Sequence, residues 1–324
     1  MNTHHNTIEA HNNKTGAPTF VGVDISKHEL VCDLPPGTQR VYKRTTEGIE
    51  QLITKLPPNA HIICEATGGY EKMLVSALHK ARVKVSVVMP WRVRAYAISQ
   101  SIMAKSDAID ARVLSQYGRN TEKLRETKPV GPAVEAMREL MRARDELIEQ
   151  IKHEKNQAEH LGALEVLAEQ AARRMETFLG QKKQVEQAMR ALIRKDPRMK
   201  QRNDKCRQVK GVGEVTVWTA LCELPELGEM DRGQPAHLLG VAPLCNQSGK
   251  HDAARHIKGG RSKPRRVFYM AAVSASQHNP ILKVFYERLI AKGKARKVAL
   301  VAVIRKLVEL INQIFADPNF SLAR

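Results

Sequence analysis

Carboxylates at four positions frame the chemistry open to this sequence: Asp24 in FVGVDIS, Glu65 in HIICEATGGY, and Asp107 and Asp110 in AKSDAIDA. The first two fall at or near the ends of short apolar runs of β type. The other two are three residues apart where a helix is expected, so they share one helical face. Carboxylates carried to one point by two strands and a helix supply the hard oxygen ligands that Mg²⁺ takes. Paired ions of that kind steer in-line displacement at phosphorus. Asp107 and Asp110 would equally suit the first turn of any helix, where acids are favourable. Four clustered carboxylates without a cation repel one another, and the charge of the whole chain favours the metal-site reading.

That charge is formally +19, with a pI near 9.9. The excess recurs in YKR, in WRVRAY, in RRVFYM and along the C-terminal helical stretches, which points to a polyanionic partner bound with release of counterions. No apolar stretch is long enough to span a bilayer, and LVAVIRKLVELINQIF is interrupted by Arg305, Lys306 and Glu309. The opening MNTHHNTIEAHNNKTG has no hydrophobic signal core and reads as a disordered tail over residues 1–17. Cys32, Cys64, Cys206, Cys222 and Cys245 show no CxxC spacing and suit buried thiols in a reducing cytoplasm.

The elements that must position the acids are legible in outline. TFVGVDI, ELVCDL and QRVYKR follow one another across short breaks, as in an antiparallel meander. The helical pattern GIEQLITKL, the strand AHIICEA, a helix around EKMLVSALHKA and the strand VKVSVVM come next, then helices around VRAYAISQ and AIDARVLSQYG. This predicts an α/β region over 18–128 with a mixed sheet covered by helices, in the ribonuclease H-like order. Within residues 129–200, the stretch from Ala133 to about Lys195 has almost no Gly or Pro and predicts two long helices, broken near Gly162 or Gly180, of coiled-coil type and suited to dimerisation. Residues 201–324 form a third, mainly helical region.

Two features of that region could touch nucleic acid. Gly211-Val212-Gly213 separates two helical patterns, as in a helix-hairpin-helix grip on a phosphate backbone; an ordinary helix cap accounts for it equally well. Further on, LLGVAPLCNQSGKHDAARHIKGGRSKPRRVFYMAA leads into a helix at about Val267. Ser248 could stand on a tight turn there, with Lys250, Arg255, Lys258, Arg261, Lys263, Arg265 and Arg266 nearby. A serine needs activation and stabilisation of developing charge to act as a nucleophile; local chemistry alone also allows a simple turn residue. Ser262 is a rival, in a run better suited to gripping phosphates. In the first region Arg92, Arg94 and Lys105 are the candidate nucleic-acid contacts.

GVDISK, CEATGGY, AKSDAIDARVL, the GVG turn and GVAPLCNQSGK followed by a Gly-Gly-Arg loop together resemble the insertion sequence family 110 transposases, recombinases of the DEDD type related to pilin-gene invertases. The resemblance covers nearly the whole chain beyond the tail. It departs from the family pattern in its longer N-terminus and in Pro264-Arg265-Arg266. It implies a RuvC-like N-terminal domain, a coiled-coil insertion and a C-terminal transposase domain. Asp24, Glu65, Asp107 and Asp110 would then hold Mg²⁺, and Ser248 would join DNA through a phosphoserine bond. It further implies a structured noncoding "bridge" RNA that pairs with donor and target DNA, homo-oligomeric action, and a place in the bacterial cytoplasm with the nucleoid. Three other readings make different demands. A hydrolytic junction nuclease would need no Ser248. A non-catalytic nucleic-acid-binding scaffold would tolerate loss of any acid. An actin-like sugar kinase would need a second nucleotide motif, and the charge of +19 weighs against it.

Overall fold

The computed structural model describes residues 17–122, 124–159, 164–244, 247–248, 251–252, 256–317 and 319–321, with backbone alone at 244, 247–248 and 251–252. Residues 1–16 of the expected N-terminal tail, Gly162, Cys245, Lys250 and Arg255 lie outside the described residues. The chain divides into two compact units, Met1–Pro129 and Val130–Arg324.

The first unit follows the expected order: β1 (Thr19–Ile25), β2 (Glu29–Leu34), β3 (Thr38–Lys43), α1 (Thr46–Thr54), β4 (Ala60–Glu65), α2 (Glu71–Lys80), β5 (Lys84–Val88), α3 (Pro90–Ser99) and α4 (Asp107–Asn120). The five strands form one mixed sheet in the order β3-β2-β1-β4-β5. β1 pairs antiparallel with β2, and β2 with β3; β1, β4 and β5 run parallel.

Strand alternation divides the sheet into two faces. On one, Val21, Val23, Ile25, Ile62 and Cys64 pack with Ile49 and Leu52 of α1 and Leu74 and Leu78 of α2. On the other, Ile63 packs with Val113, Leu114 and Tyr117 of α4. Gly22 and Gly118 let α4 approach that second face closely. A Cβ on Gly22 would overlap the Ala111 carbonyl oxygen and stand 2.6 Å from the Ser115 nitrogen. One on Gly118 would stand 2.8 Å from Phe20 and Ile63. Beside Gly22, the buried Asp33 accepts a short hydrogen bond from the Ser115 hydroxyl.

The second unit comprises α5 (Pro132–Ala158), α6 (Glu165–Lys195), α7 (Pro197–Arg207), α8 (Glu214–Glu223), α9 (Gln234–Leu238), β6 (Pro243–Leu244), β7 (Gln247–Ser248), β8 (His251–Asp252), β9 (His256–Ile257), α10 (Ser262–His278), α11 (Pro280–Ala291) and α12 (Arg296–Ala316). The two long helices expected from the sequence are α5 and α6, and α6 runs unbroken through Gly180. They are joined by Arg144–Glu186 at 2.8 Å and by Arg174, which grips both oxygens of Glu154 at 2.9 Å. Met137, Met141, Met189 and Ile193 from these helices share one core with Trp218, Phe268, Val303 and Leu307. Helix α10 begins at Ser262, ahead of the Val267 start expected from sequence. Pro264 falls in the first turn, where its missing N–H breaks no helical hydrogen bond.

Candidate carboxylate site and serine hairpin

Register explains how the four acids meet. Val23 pairs with Cys64, and Glu65 pairs with Val88, so Asp24, Glu65 and Val88 are level at the carboxyl ends of three adjacent parallel strands. By alternation Asp24 belongs with Gly22, and Glu65 with Ile63, on the face covered by α4. Gly118 lies against Phe20 and Ala111 against Gly22, so α4 runs antiparallel to β1 and its N-terminal turn comes to the level of Asp24. Ser106 caps that turn, accepting from the Ile109 N–H at 3.3 Å, and Asp107 and Asp110 are its first-turn acids.

The electrostatics follow from this convergence. Burial pushes the Asp24 carboxyl above its ordinary range, and the charges of Asp107 and Asp110 push it further. Glu65 is raised by burial and then by Asp24 and Asp110. Asp110 is raised chiefly by burial and also by Asp107. Lys105 opposes all three shifts, and Arg94 opposes that of Asp110. Lys105 is exposed; the Arg94 guanidinium donates to the Met103 carbonyl at 3.4 Å. Arg92 is exposed at the start of α3.

Among the described residues, no three Asp, Glu, His or Cys side chains are drawn together closely enough to form a finished metal cage. The donor set still fits a hard divalent ion in kind: four carboxylates, three of them shifted by burial and mutual repulsion, on a framework set by close packing. Replacing Gly22 by Val tests that framework, because the new side chain meets α4 backbone. The variant should unfold with a loss of about 3 kcal/mol or more, measured by urea denaturation. Unchanged stability would show that α4 does not depend on this approach.

In the second unit Ser248 lies in β7 and pairs with His251 of β8 across a two-residue connection, placing it on a tight hairpin. The other expected contacts divide into engaged and exposed. Arg261 forms a two-pronged ion pair with Glu226 at 2.6 and 2.8 Å and also donates to the Glu223 carbonyl. Lys263 bridges Asp145 at 2.7 Å and Glu223 at 3.3 Å. Arg265 donates to the Gly259 and Gly240 carbonyls. These three cations brace the approach to α10, whereas Lys258 and Arg266 are exposed. Ser262 is the first residue of α10.

Gly211 has φ of +95°, and a Cβ there would stand 2.5 Å from the Cα of Ala275 in α10. Its requirement is therefore conformational and steric. Gly213 precedes α8, whose first-turn Glu214 is held by Arg190 through two hydrogen bonds of 2.9 and 2.8 Å. With Arg207, Arg266 and Met270, the two glycines line a groove of about 710 Å³. Sequence reasoning did not single out Gly22, Gly118 or the Asp33–Ser115 contact; a small residue within an apolar strand was the available signal for the first.

Comparison with known proteins finds two family matches along the chain. A family model for IS110 transposases of the DEDD class, described as "Transposase", matches residues 21–165. A second, described as "Transposase IS116/IS110/IS902 family", matches residues 203–287. The pilin gene-inverting protein of Moraxella bovis is 25% identical over 306 residues, covering 90% of this chain and 94% of its own. The pilin gene-inverting protein of Moraxella lacunata matches to the same extent. An IS110 uncharacterized 43.6 kDa protein of Streptomyces coelicolor is 27% identical over 93 residues, 28% of this chain and 23% of its own. No helix among the described residues is long and apolar enough to cross a membrane. With the DEDD-class match spanning all four carboxylates and the second match spanning the serine hairpin, the chain belongs to the IS110 family of transposases.

Proposed function

We propose that this chain is an RNA-guided DNA recombinase that moves its own insertion sequence by cutting and rejoining donor and target DNA. The observation carrying the proposal is the convergence of Asp24, Glu65, Asp107 and Asp110 on one sheet edge, where burial and repulsion raise three of the carboxyls. Those acids would hold Mg²⁺, which when bound supplies charge stabilisation at a phosphodiester. Lys105 and Arg94 bring positive charge to the same edge and suit the non-bridging oxygens of a phosphate.

Ser248 is the proposed nucleophile. Its Oγ forms a bond to phosphorus as the bond to a deoxyribose oxygen breaks; the serine proton is lost and the departing oxygen gains one. Attack by a second strand's hydroxyl reverses the exchange and frees the serine, so the phosphodiester energy is retained without ATP. The antiparallel pairing of Ser248 with His251 at the end of a two-residue strand is the observation that supports this role.

Sequence selection is assigned to a structured noncoding RNA that pairs with both DNAs. The +19 charge supports a large polyanionic cofactor, and backbone contacts suffice for a protein that delegates reading to base pairing. Homo-oligomerisation is assigned to the α5–α6 hairpin, where Leu164, Val166 and Leu179 are at least half exposed.

The experiment is reconstitution. Protein expressed with its flanking noncoding DNA should copurify with one RNA. Protein freed of that RNA should bind DNA with little sequence preference and fail to recombine it. Adding the RNA back with Mg²⁺ should restore recombination, and changing a guide loop together with its matching DNA should redirect the product. Site-specific recombination by RNA-free protein would overturn the guidance.

A further inference from the structure

In a chain with 4% aromatic residues, two rings stand in solvent just beyond the carboxylate edge. Tyr70 follows β4 and Trp91 follows β5, the parallel neighbours that end at Glu65 and Val88. Tyr70 is 41% and Trp91 63% exposed, whereas the other tryptophan, Trp218, is 1% exposed in the core of the second unit. Each exposed ring has a guanidinium against it: Arg44 lies 4.8 Å from the Tyr70 centroid, and Arg92 5.5 Å from that of Trp91. Trp91 and Arg94 are three residues apart and share a face of α3. Met89, two residues before Trp91, is exposed as well.

Burial accounts for neither ring's position, because a large aromatic side chain gains by leaving water. A flat apolar surface edged by guanidinium groups matches a ligand that joins flat π faces to phosphates, which is a nucleic-acid strand. In a duplex both faces of an internal base are covered by its neighbours. A protein ring can stack only on a base that is unpaired or at an end.

We infer that Trp91, with Tyr70 from beyond the neighbouring strand end, is a stacking platform for an unpaired base adjacent to the phosphate at the carboxylate site, with Arg44 and Arg92 engaging the flanking backbone. This rests on the reading that the first unit acts on nucleic-acid phosphodiesters. Stacking accepts any base, so the platform holds an opened strand in place without reading its sequence.

The test uses the full chain in Ca²⁺ and compares a short oligothymidylate with an abasic oligonucleotide of the same length. Wild type should bind the thymidylate about tenfold more tightly than the abasic strand, and the indole emission should be quenched by the first and not by the second. Trp91→Ala should lose most of that preference at unchanged melting temperature, and Trp91→Phe should keep it. Asp24→Asn should also keep it, which separates failure of the platform from failure of the chemistry. Equal preference in wild type and Trp91→Ala would overturn the inference. So would quenching that follows protein concentration instead of DNA, since Trp91 would then be a contact between copies of the chain.

Discussion

Asp24→Asn is expected to lower strand cleavage about a thousandfold or more, because it removes one of the carboxylates that would hold the divalent ion, and with it several kcal/mol of the charge stabilisation the ion would supply. The same substitution should raise the stability of the metal-free protein. Asp24 is raised in the fold by burial and by Asp107 and Asp110, so its charged form is disfavoured relative to the unfolded chain. Its contribution to stability is intact below the ordinary aspartate pKa and is lost as pH rises through the higher folded value. Asn carries no charge. In EDTA the variant should therefore melt above wild type near neutral pH, with the gap closing below about pH 4. Together, lower activity and higher stability separate a functional carboxylate from a structural one. A variant that cleaves normally, or one that melts lower at neutral pH, would count against the site.

Ser248→Ala is expected to abolish the covalent protein–DNA species and to cut recombination by about ten-thousandfold or more, the scale set by removing a nucleophile. DNA binding should persist, since the hydroxyl carries no charge. Trapping on a nicked suicide substrate followed by peptide mass spectrometry should place phosphate on Ser248 in the wild type and nowhere in the variant. Ser262→Ala should retain cleavage. An adduct on Ser262 would move the chemistry to the first turn of α10.

Much of the first unit was legible because its signals are local. TFVGVDI and AHIICEA alternate or run apolar as strands do, and Ser106 followed by Asp107 and Asp110 marks a helix start. Those patterns were enough to place the acids on two strands and a helix. They could not show that Gly22 and Gly118 let α4 lie against the sheet, since the obstruction comes from residues far away along the chain. The loop cations illustrate the same limit. Arg261, Lys263 and Arg265 look alike in sequence, yet their partners Glu226, Asp145 and Gly240 come from distant segments. Gly180 reads in sequence as a helix break, and Pro264 as a departure from the family pattern. Within the 31 residues of α6 the cost of one glycine, about 1 kcal/mol, is outweighed by its neighbours, and Pro264 sits where a helix tolerates it. Trp91 went unremarked because a low aromatic fraction says nothing about where the few rings stand.

Metal binding by Asp24, Glu65, Asp107 and Asp110 is the step on which the proposed function rests. It is tested most directly by titrating Mn²⁺ into the full chain and reading the free ion by electron paramagnetic resonance, with Mg²⁺ as competitor. Wild type should take up Mn²⁺ and release it to Mg²⁺, while a variant carrying Asp24→Asn and Glu65→Gln, folded and at least as stable in EDTA, should leave the ion free. Equal uptake by wild type and variant would contradict the account.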